Sequence, residues 1–336
     1  MLVTACGIAT ADIIAVDLSE VARPGQVVFG PKGNEIHVGG HVCNLTIDLV
    51  QMGLKGREVS AIISVGEDPL GDFLVDSLKK VGVVTHALRS KRPTSSDLIL
   101  VVRGEDRRFH VDVGANQDLA PAEVLRVLRR EKPSVFFVGA AGILGGVDAR
   151  LPQLCREAKS LHSVTFTSVA APYGKGWEFI TPSLQLLDIL HCNNVEASGM
   201  TGLSDPVKAV RSLGDHGVKV AIVTMGEKGL YAQLEGRTLK FPAFAVRVVD
   251  PTGAGDAFCA GVAFRLTTEP FKSKLGRSSD LENLSVEDWK EIFAYASACG
   301  AACCTAPGTT TAVKPPVVRR ILREQSESFA RSVTVI

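Results

Sequence analysis

Aromatic side chains are scarce: Phe, Tyr and Trp make up 6% of the 336 residues, while hydrophobic residues as a whole make up 46%. An interior built on that mix is aliphatic, as parallel sheets buried on both faces require. Net charge is also nearly absent, at +1 from 37 basic and 36 acidic residues. So balanced a surface speaks against nucleic acid or an acidic membrane as the main partner. No apolar run reaches the ~18 residues needed to span a bilayer. Val3-Thr4-Ala5-Cys6 faintly resembles a lipoprotein cleavage box, but neither a basic segment nor an adequate apolar run precedes it, so no signal is expected. The eight cysteines contain no C-x-x-C pair and read as free thiols in a reducing cytoplasm. There is no internal repeat and no second core. The length suits one large α/β unit with an insertion.

What the chain does have is Asp250-Pro251-Thr252-Gly253-Ala254-Gly255-Asp256-Ala257-Phe258. The residues before it, 241–249, read as a strand, and the apolar run 257–266 reads as a buried helix. Gly253 and Gly255 therefore stand where a strand becomes a helix, and both can take backbone angles closed to other residues. With no side chains in the way, the amides of 253–256 can converge at a helix N-terminus that carries roughly +0.5 of partial charge. That makes an anion site. Asp256 beside it suits an enzyme that takes a proton from a hydroxyl while the amides stabilise a phosphoryl group. The alternative is a tight strand–helix connection with an Asp cap. No Lys follows the glycines and no third Gly completes G-x-G-x-x-G, so neither common nucleotide loop applies.

Taken in order, residues 2–9 and 11–16 read as an apolar opening strand broken near Thr10. Asp12 inside it is costly to bury unless bonded, or is a strand-end turn residue. Residues 17–38 are broken by Gly and Pro, with β-like pieces at 26–29 and 35–38. Together with a hairpin over 97–113 they read as a small β lid. Gly39-Gly40 leads into a helix carrying His41 and Asn44. Beyond Pro121, helices and strands alternate, which argues for a parallel sheet with ligands at the carboxyl ends of its strands. Asn193 and Glu196 follow one strand, as a cation-holding or a helix-capping pair. Thr224, Gly226 and Gly229 follow the next. An Ala-rich helix over 286–304 contains Ser297 and leads to Gly308. Residues 267–284 read as a surface insertion, and the tail after Arg323 as frayed.

The stretch 250–258 resembles the C-terminal signature of the ribokinase-like (PfkB) carbohydrate kinases, D-[TP]-[TV]-G-A-G-D-x-F, and the earlier motifs occur in that family's order. The resemblance covers nearly the whole chain. It implies a three-layer α/β/α fold with a mostly parallel central sheet and a β-sheet lid. The main unit would comprise 1–16, 39–96 and 114–330, and the lid 17–38 and 97–113. It implies ATP-dependent phosphorylation of a sugar or sugar acid, with a nucleoside or a non-catalytic sugar or nucleotide sensor as alternatives. Asp256 would be the base and Gly253, Ala254 and Gly255 the anion hole. Asp12, Gly39, Gly40 and Asn44 would meet substrate, and Asn193, Thr224, Gly226, Gly229, Ser297 and Gly308 would meet ATP. Glu196 would hold Mg²⁺ through water, and Asp250 with Thr252 would touch K⁺. Dimerisation through the lid is a further implication. The sequence departs from the pattern at His41, where some members have Lys, and at Thr167-Ser168-Val169, where many have Asp-x-Asn. The basic residues near the hairpin (Arg89, Lys91, Arg92, Arg103, Arg107, Arg108) read as solvated faces, or one of the arginines as reading a phosphate on the substrate, and Lys175 reads as lying on a surface loop or reaching a phosphate.

Overall fold

A computed structural model of the chain describes residues 1–105, 108–276 and 280–336. Its strands form a ten-stranded sheet and a separate four-stranded one. In the large sheet, Val84–Ser90, Val59–Gly66, Val3–Gly7, Val135–Ala141, Val164–Val169, Ile189–Asn193 and Val220–Thr224 run parallel, side by side. Leu230–Leu234, Arg237–Phe241 and the short Thr334–Val335 extend it antiparallel. The central strands are apolar and buried along their whole length. Alternate residues feed opposite layers, because a strand's side chains alternate between its faces. Phe137 and Ile63 join the core formed with helices His41–Met52, Ala254–Leu266 and Val286–Cys303. Phe136 and Ile62 join the core formed with Pro121–Glu131, Gly146–Ser160 and Pro206–Asp215. The result is the expected ribokinase-like three-layer α/β fold. None of the eight cysteines is in a disulfide, and no described helix is long and apolar enough to cross a membrane.

The small sheet has the order Asn34–Gly39, Thr10–Leu18, Ser96–Val102, Arg108–Asp112. Here the structure differs from the expected opening strand. The large-sheet strand ends at Gly7, and residues 10–16 belong to the small sheet. Gly7 has φ 146°, and a Cβ there would lie 2.1 Å from the Gly139 carbonyl oxygen. The chain can turn out of the large sheet at that point only because nothing protrudes. Residues 26–29 form no strand.

Three other expectations are corrected. The strand expected over 241–249 ends at Phe241, since Pro242 has no N–H for the ladder. Beyond it, the Ala245 N–H and carbonyl bond instead to the Gln325 side chain at 2.9 and 3.0 Å. The tail is not frayed: helix Pro315–Arg331 buries Phe329, which stacks on Phe244 at 4.4 Å. Within 267–284, Phe271, Leu275 and Leu281 are buried, so the described part of this segment is anchored to the core.

Candidate active site

Helix Ala254–Leu266 starts at Gly253, whose φ of 81° lies in the left-handed region. A Cβ at Gly253 would come within 2.8 Å of Thr309 Cβ, so Gly is needed for both reasons. No side chain caps this helix. The Ala254 N–H turns back to the Pro251 carbonyl at 3.3 Å, and the Ala257 N–H makes the first intrahelical bond, to Gly253 at 2.8 Å. The N–H groups of Gly255 and Asp256 are thus the uncapped donors of the first turn.

Asp256 is 8% exposed. Its Oδ2 accepts from Asn44 Nδ2 at 2.8 Å. Asn44 Oδ1 in turn accepts from Thr309 Oγ1 at 2.8 Å. His41 Nε2 stands 3.7 Å from Asp256 Oδ1. Thr309 was not singled out in the sequence, because a Thr in a Gly-Thr-Thr-Thr run carries no signal of its own.

Asp12 lies against Gly39, where an added Cβ would come within 2.2 Å of its Oδ2. Gly40 has φ 90° and starts helix His41–Met52. Burial pushes the Asp12 carboxyl up to about 7, reinforced by Asp97, Asp256 and Asp250. Asp97, directly beside Asp12 in the parallel pairing, was not foreseen as a site residue. Burial raises it too, opposed by the backbone and charge of His110.

Asn193 and Glu196 form a reciprocal cap. Asn193 Oδ1 accepts from the N–H groups of Val195 and Glu196, both at 2.9 Å, and Glu196 Oε2 accepts from the Asn193 N–H at 2.8 Å. Burial raises Glu196, opposed by Asn193 and His41 and reinforced by Asp256. Among the described residues, no cluster of three or more His, Cys, Asp or Glu could hold a metal by itself. Asn193 and Thr224 end adjacent parallel strands in register. Between them and the sheet interior sits His191, also unforeseen, with Nδ1 3.1 Å from Ser168 Oγ and Nε2 3.3 Å from Thr224 Oγ1. Its ring stacks on Phe258 at 5.6 Å. Burial, with His41 adding, lowers its pKa to about 3, so it is neutral.

Gly226, with φ 58°, opens a turn that Gly229 closes, its N–H reaching Gly226 O at 3.1 Å. A Cβ at Gly229 would meet Phe241 O at 1.9 Å. Asp250 Oδ1 accepts from the Thr252 N–H at 2.9 Å and hydroxyl at 2.7 Å, while Oδ2 accepts from the Gly308 N–H at 3.3 Å. Ser297 is half-buried on its helix. The small residues around it serve close packing: Cβ atoms added at Gly261 and Gly300 would meet Ala296 Cα at 2.6 Å and Ala254 O at 3.0 Å. Lys175 is neither loose nor free for a phosphate, since it pairs with buried Asp148 at 2.7 Å. Arg89, Arg92 and Arg103 pair with Asp72, Asp118 and Asp17, and Arg108 pairs with Glu105. Arg107 lies outside the described residues.

A three-layer α/β fold with an uncapped helix start, an adjacent held carboxylate and acids at strand ends defines a phosphotransferase with an alcohol acceptor. The chain belongs to the pfkB family of carbohydrate kinases, whose model matches residues 2–315. It is 27% identical over 284 residues to ribokinase of Mus musculus, covering 80% of this chain and 84% of that one. The solved Arabidopsis thaliana ribokinase complexed with ribose and ATP matches with a TM-score of 0.76 at 20% identity, over 96% of this chain and 98% of that one. An Escherichia coli chain solved with ATP and Mg²⁺ matches with a TM-score of 0.73 at 19% identity, over 96% of this chain and 99% of that one.

Proposed function

We propose that the chain moves the γ-phosphoryl group of ATP onto a hydroxyl of a small sugar, with Asp256 as the base. One observation carries this reading: the Asp256 carboxylate is held by Asn44 at 2.8 Å beside a helix start that no side chain caps. Asp256 takes the hydroxyl proton, and the oxygen so freed bonds to the γ-phosphorus. The bond from that phosphorus to the bridging oxygen of ADP breaks. The Gly255 and Asp256 amides stabilise the charge spread over the moving group, which is worth about 2.7–4 kcal/mol per donor in comparable sites. Asp12 and Asn44 orient the acceptor against Gly39 and Gly40, and Thr224 with Gly226 meets the phosphates. Asn193, Gly229, Ser297 and Gly308 border the nucleotide in the same reading, Gly229 by shaping its turn.

ATP is the donor by analogy with the solved relatives. The donor set fits Mg²⁺, because the Asp256 charge raises the carboxyls of both Asp12 and Glu196, and a cation between them would relieve that repulsion. Mg²⁺ would be held through water by Glu196 and would neutralise phosphate charge. A K⁺ contact at Asp250 is part of the same proposal, and rates in K⁺ against Na⁺ test it.

Asp256→Asn keeps nucleotide binding and loses turnover by at least about 10²-fold. Near-normal ADP release from that variant excludes Asp256 as base. A nucleoside acceptor is the second reading. Phe109 and Val111 support it, being 48% and 53% exposed on the face of the small sheet that carries Asp97. The small sheet would act as a lid. Its other face bears Ile36 and Leu98, 53% and 44% exposed, on either side of Ile13. That apolar row supports dimerisation through the lid, and light scattering of Ile36→Asp tests it.

A further inference from the structure

The small sheet places His37, Asp12, Asp97 and Val111 in one cross-strand row, and therefore on one face. Asp12 is 5% exposed, and none of the described residues donates a hydrogen bond to its carboxyl. Asp97 Oδ1 is buried and has no hydrogen-bond partner among the described residues. Gly39, lacking a Cβ, leaves the Asp12 carboxyl its space. A buried and a half-buried acid side by side, each with an unfilled acceptor position, are destabilising in the free protein. A ligand offering two neighbouring hydroxyl donors would satisfy both.

The surrounding charges point the same way. Of the described cations near this sheet, Arg103 is committed to Asp17 and Arg108 to Glu105. Arg108 is also paired opposite Leu100, in the row two residues on from Leu98, and so lies on the other face. His37 is bonded to Glu35 at 2.6 Å, and His41 faces Asp256. His110, whose charge acts on Asp97, lies opposite Leu98 on the other face. An anionic acceptor would meet the carboxyls of Asp12, Asp97 and Asp256, and among the described residues of this sheet no Lys or Arg is left uncommitted on the Asp97 face.

We infer that Asp97 is a second substrate-binding carboxylate, which with Asp12 grips a pair of neighbouring hydroxyls, and that the acceptor is uncharged. The inference rests on the kinase reading only for the location of the cup, and it narrows the acceptor class by excluding sugar acids and sugar phosphates.

Binding is measured by calorimetry separately from turnover, with D-ribose and adenosine as neutral probes and D-gluconate and ribose-5-phosphate as anionic ones. The full chain is compared with Asp97→Asn, which keeps the shape and removes the charge, and with Asp97→Glu, which restores the charge. At least one neutral probe binds the wild type at least about tenfold more tightly than either anion. Asp97→Asn weakens that binding by about tenfold or more and narrows the gap to the anions, while Asp97→Glu recovers part of it. Tighter or equal binding of an anion, unchanged binding in Asp97→Asn, or no binding of either neutral probe overturns the inference. Binding as described without ADP release that depends on Asp256 leaves this assignment standing and removes the kinase reading instead.

Discussion

Asn44 and Asp256 lie 212 positions apart in sequence and are joined side chain to side chain at 2.8 Å. This bond fixes which oxygen of Asp256 is occupied and leaves Oδ1 on the side of His41. Asn44 is itself held by Thr309, on the loop next to Gly253. Helix His41–Met52 and the start of helix Ala254–Leu266 are therefore positioned by one polar chain rather than by two separate caps.

Asn44→Ala should release that carboxylate without removing it. A hydrogen bond to a charged group is worth about 1.5–3 kcal/mol, or roughly ten- to a hundredfold in rate. The expected outcome is a fall of that size in kcat with ATP affinity retained. Thr309→Val, one bond further out, should lower kcat less. Steady-state ADP release checks both, and an unchanged kcat in Asn44→Ala would show that Asp256 needs no such support.

Much of this site is legible in the sequence because glycines mark places where the backbone alone must fit. Gly253 and Gly40 both have positive φ, and both stand where the motifs place them. What joins them is not legible. Nothing in the sequence near Asn44 or Thr309 says that they meet Asp256. The strand around Asp12 has apolar neighbours that suit either sheet, so only the turn at Gly7 decides which one it enters. Asn193 and Glu196 illustrate a different limit: one spacing serves a helix cap and a cation contact alike, and the cap is what the local bonds form. His191 reads as an ordinary strand residue until the Ser168 and Thr224 hydroxyls are seen on either side of it.

His191 leads to a second expectation. Its pKa of about 3 means that it carries no proton charge at working pH. It orients the Thr224 hydroxyl instead. His191→Phe keeps the stacking volume against Phe258 and removes both polar contacts. The KM for ATP should rise by roughly fivefold to tenfold, from about 1 kcal/mol of lost positioning, with the pH profile of kcat unmoved. A displaced pH profile would mean that the ring titrates during turnover.

Asp12 should make substrate affinity and stability respond to pH in opposite directions. Its carboxyl is raised to about 7 in the folded chain, mainly by burial. The unfolded chain therefore releases this proton first, near pH ~4, and stability falls between about pH 4 and about pH 7. Asp12→Asn should flatten that part of the stability curve. Hydroxyl donors favour the ionised acid, so the KM for the acceptor should decrease as pH rises through about 7, and this trend should vanish in the variant. Denaturant midpoints and KM measured across the same pH series test both. A KM that rises with pH in the wild type would mean that the protonated acid is the binding form.

Glu131 separates stability from the site. Burial would raise its carboxyl, but hydrogen bonds from His86 at 2.6 Å, Ser60 at 2.5 Å and Thr4 at 2.8 Å hold it down to about 2. A carboxylate lowered in the folded state contributes stability that is present above about pH 4.3 and lost as pH falls toward about 2. These partners lie on strands Val3–Gly7, Val59–Gly66 and Val84–Ser90, and Glu131 ends helix Pro121–Glu131, so the cluster ties a layer to the sheet. Glu131→Gln keeps the size but loses the charge that three donors share, which should cost about 2–4 kcal/mol. The denaturant midpoint should drop while the KM for ATP and acceptor stays unchanged. If both KM values move together with the midpoint, the cluster is coupled to the cleft through the sheet and is not an independent fastening.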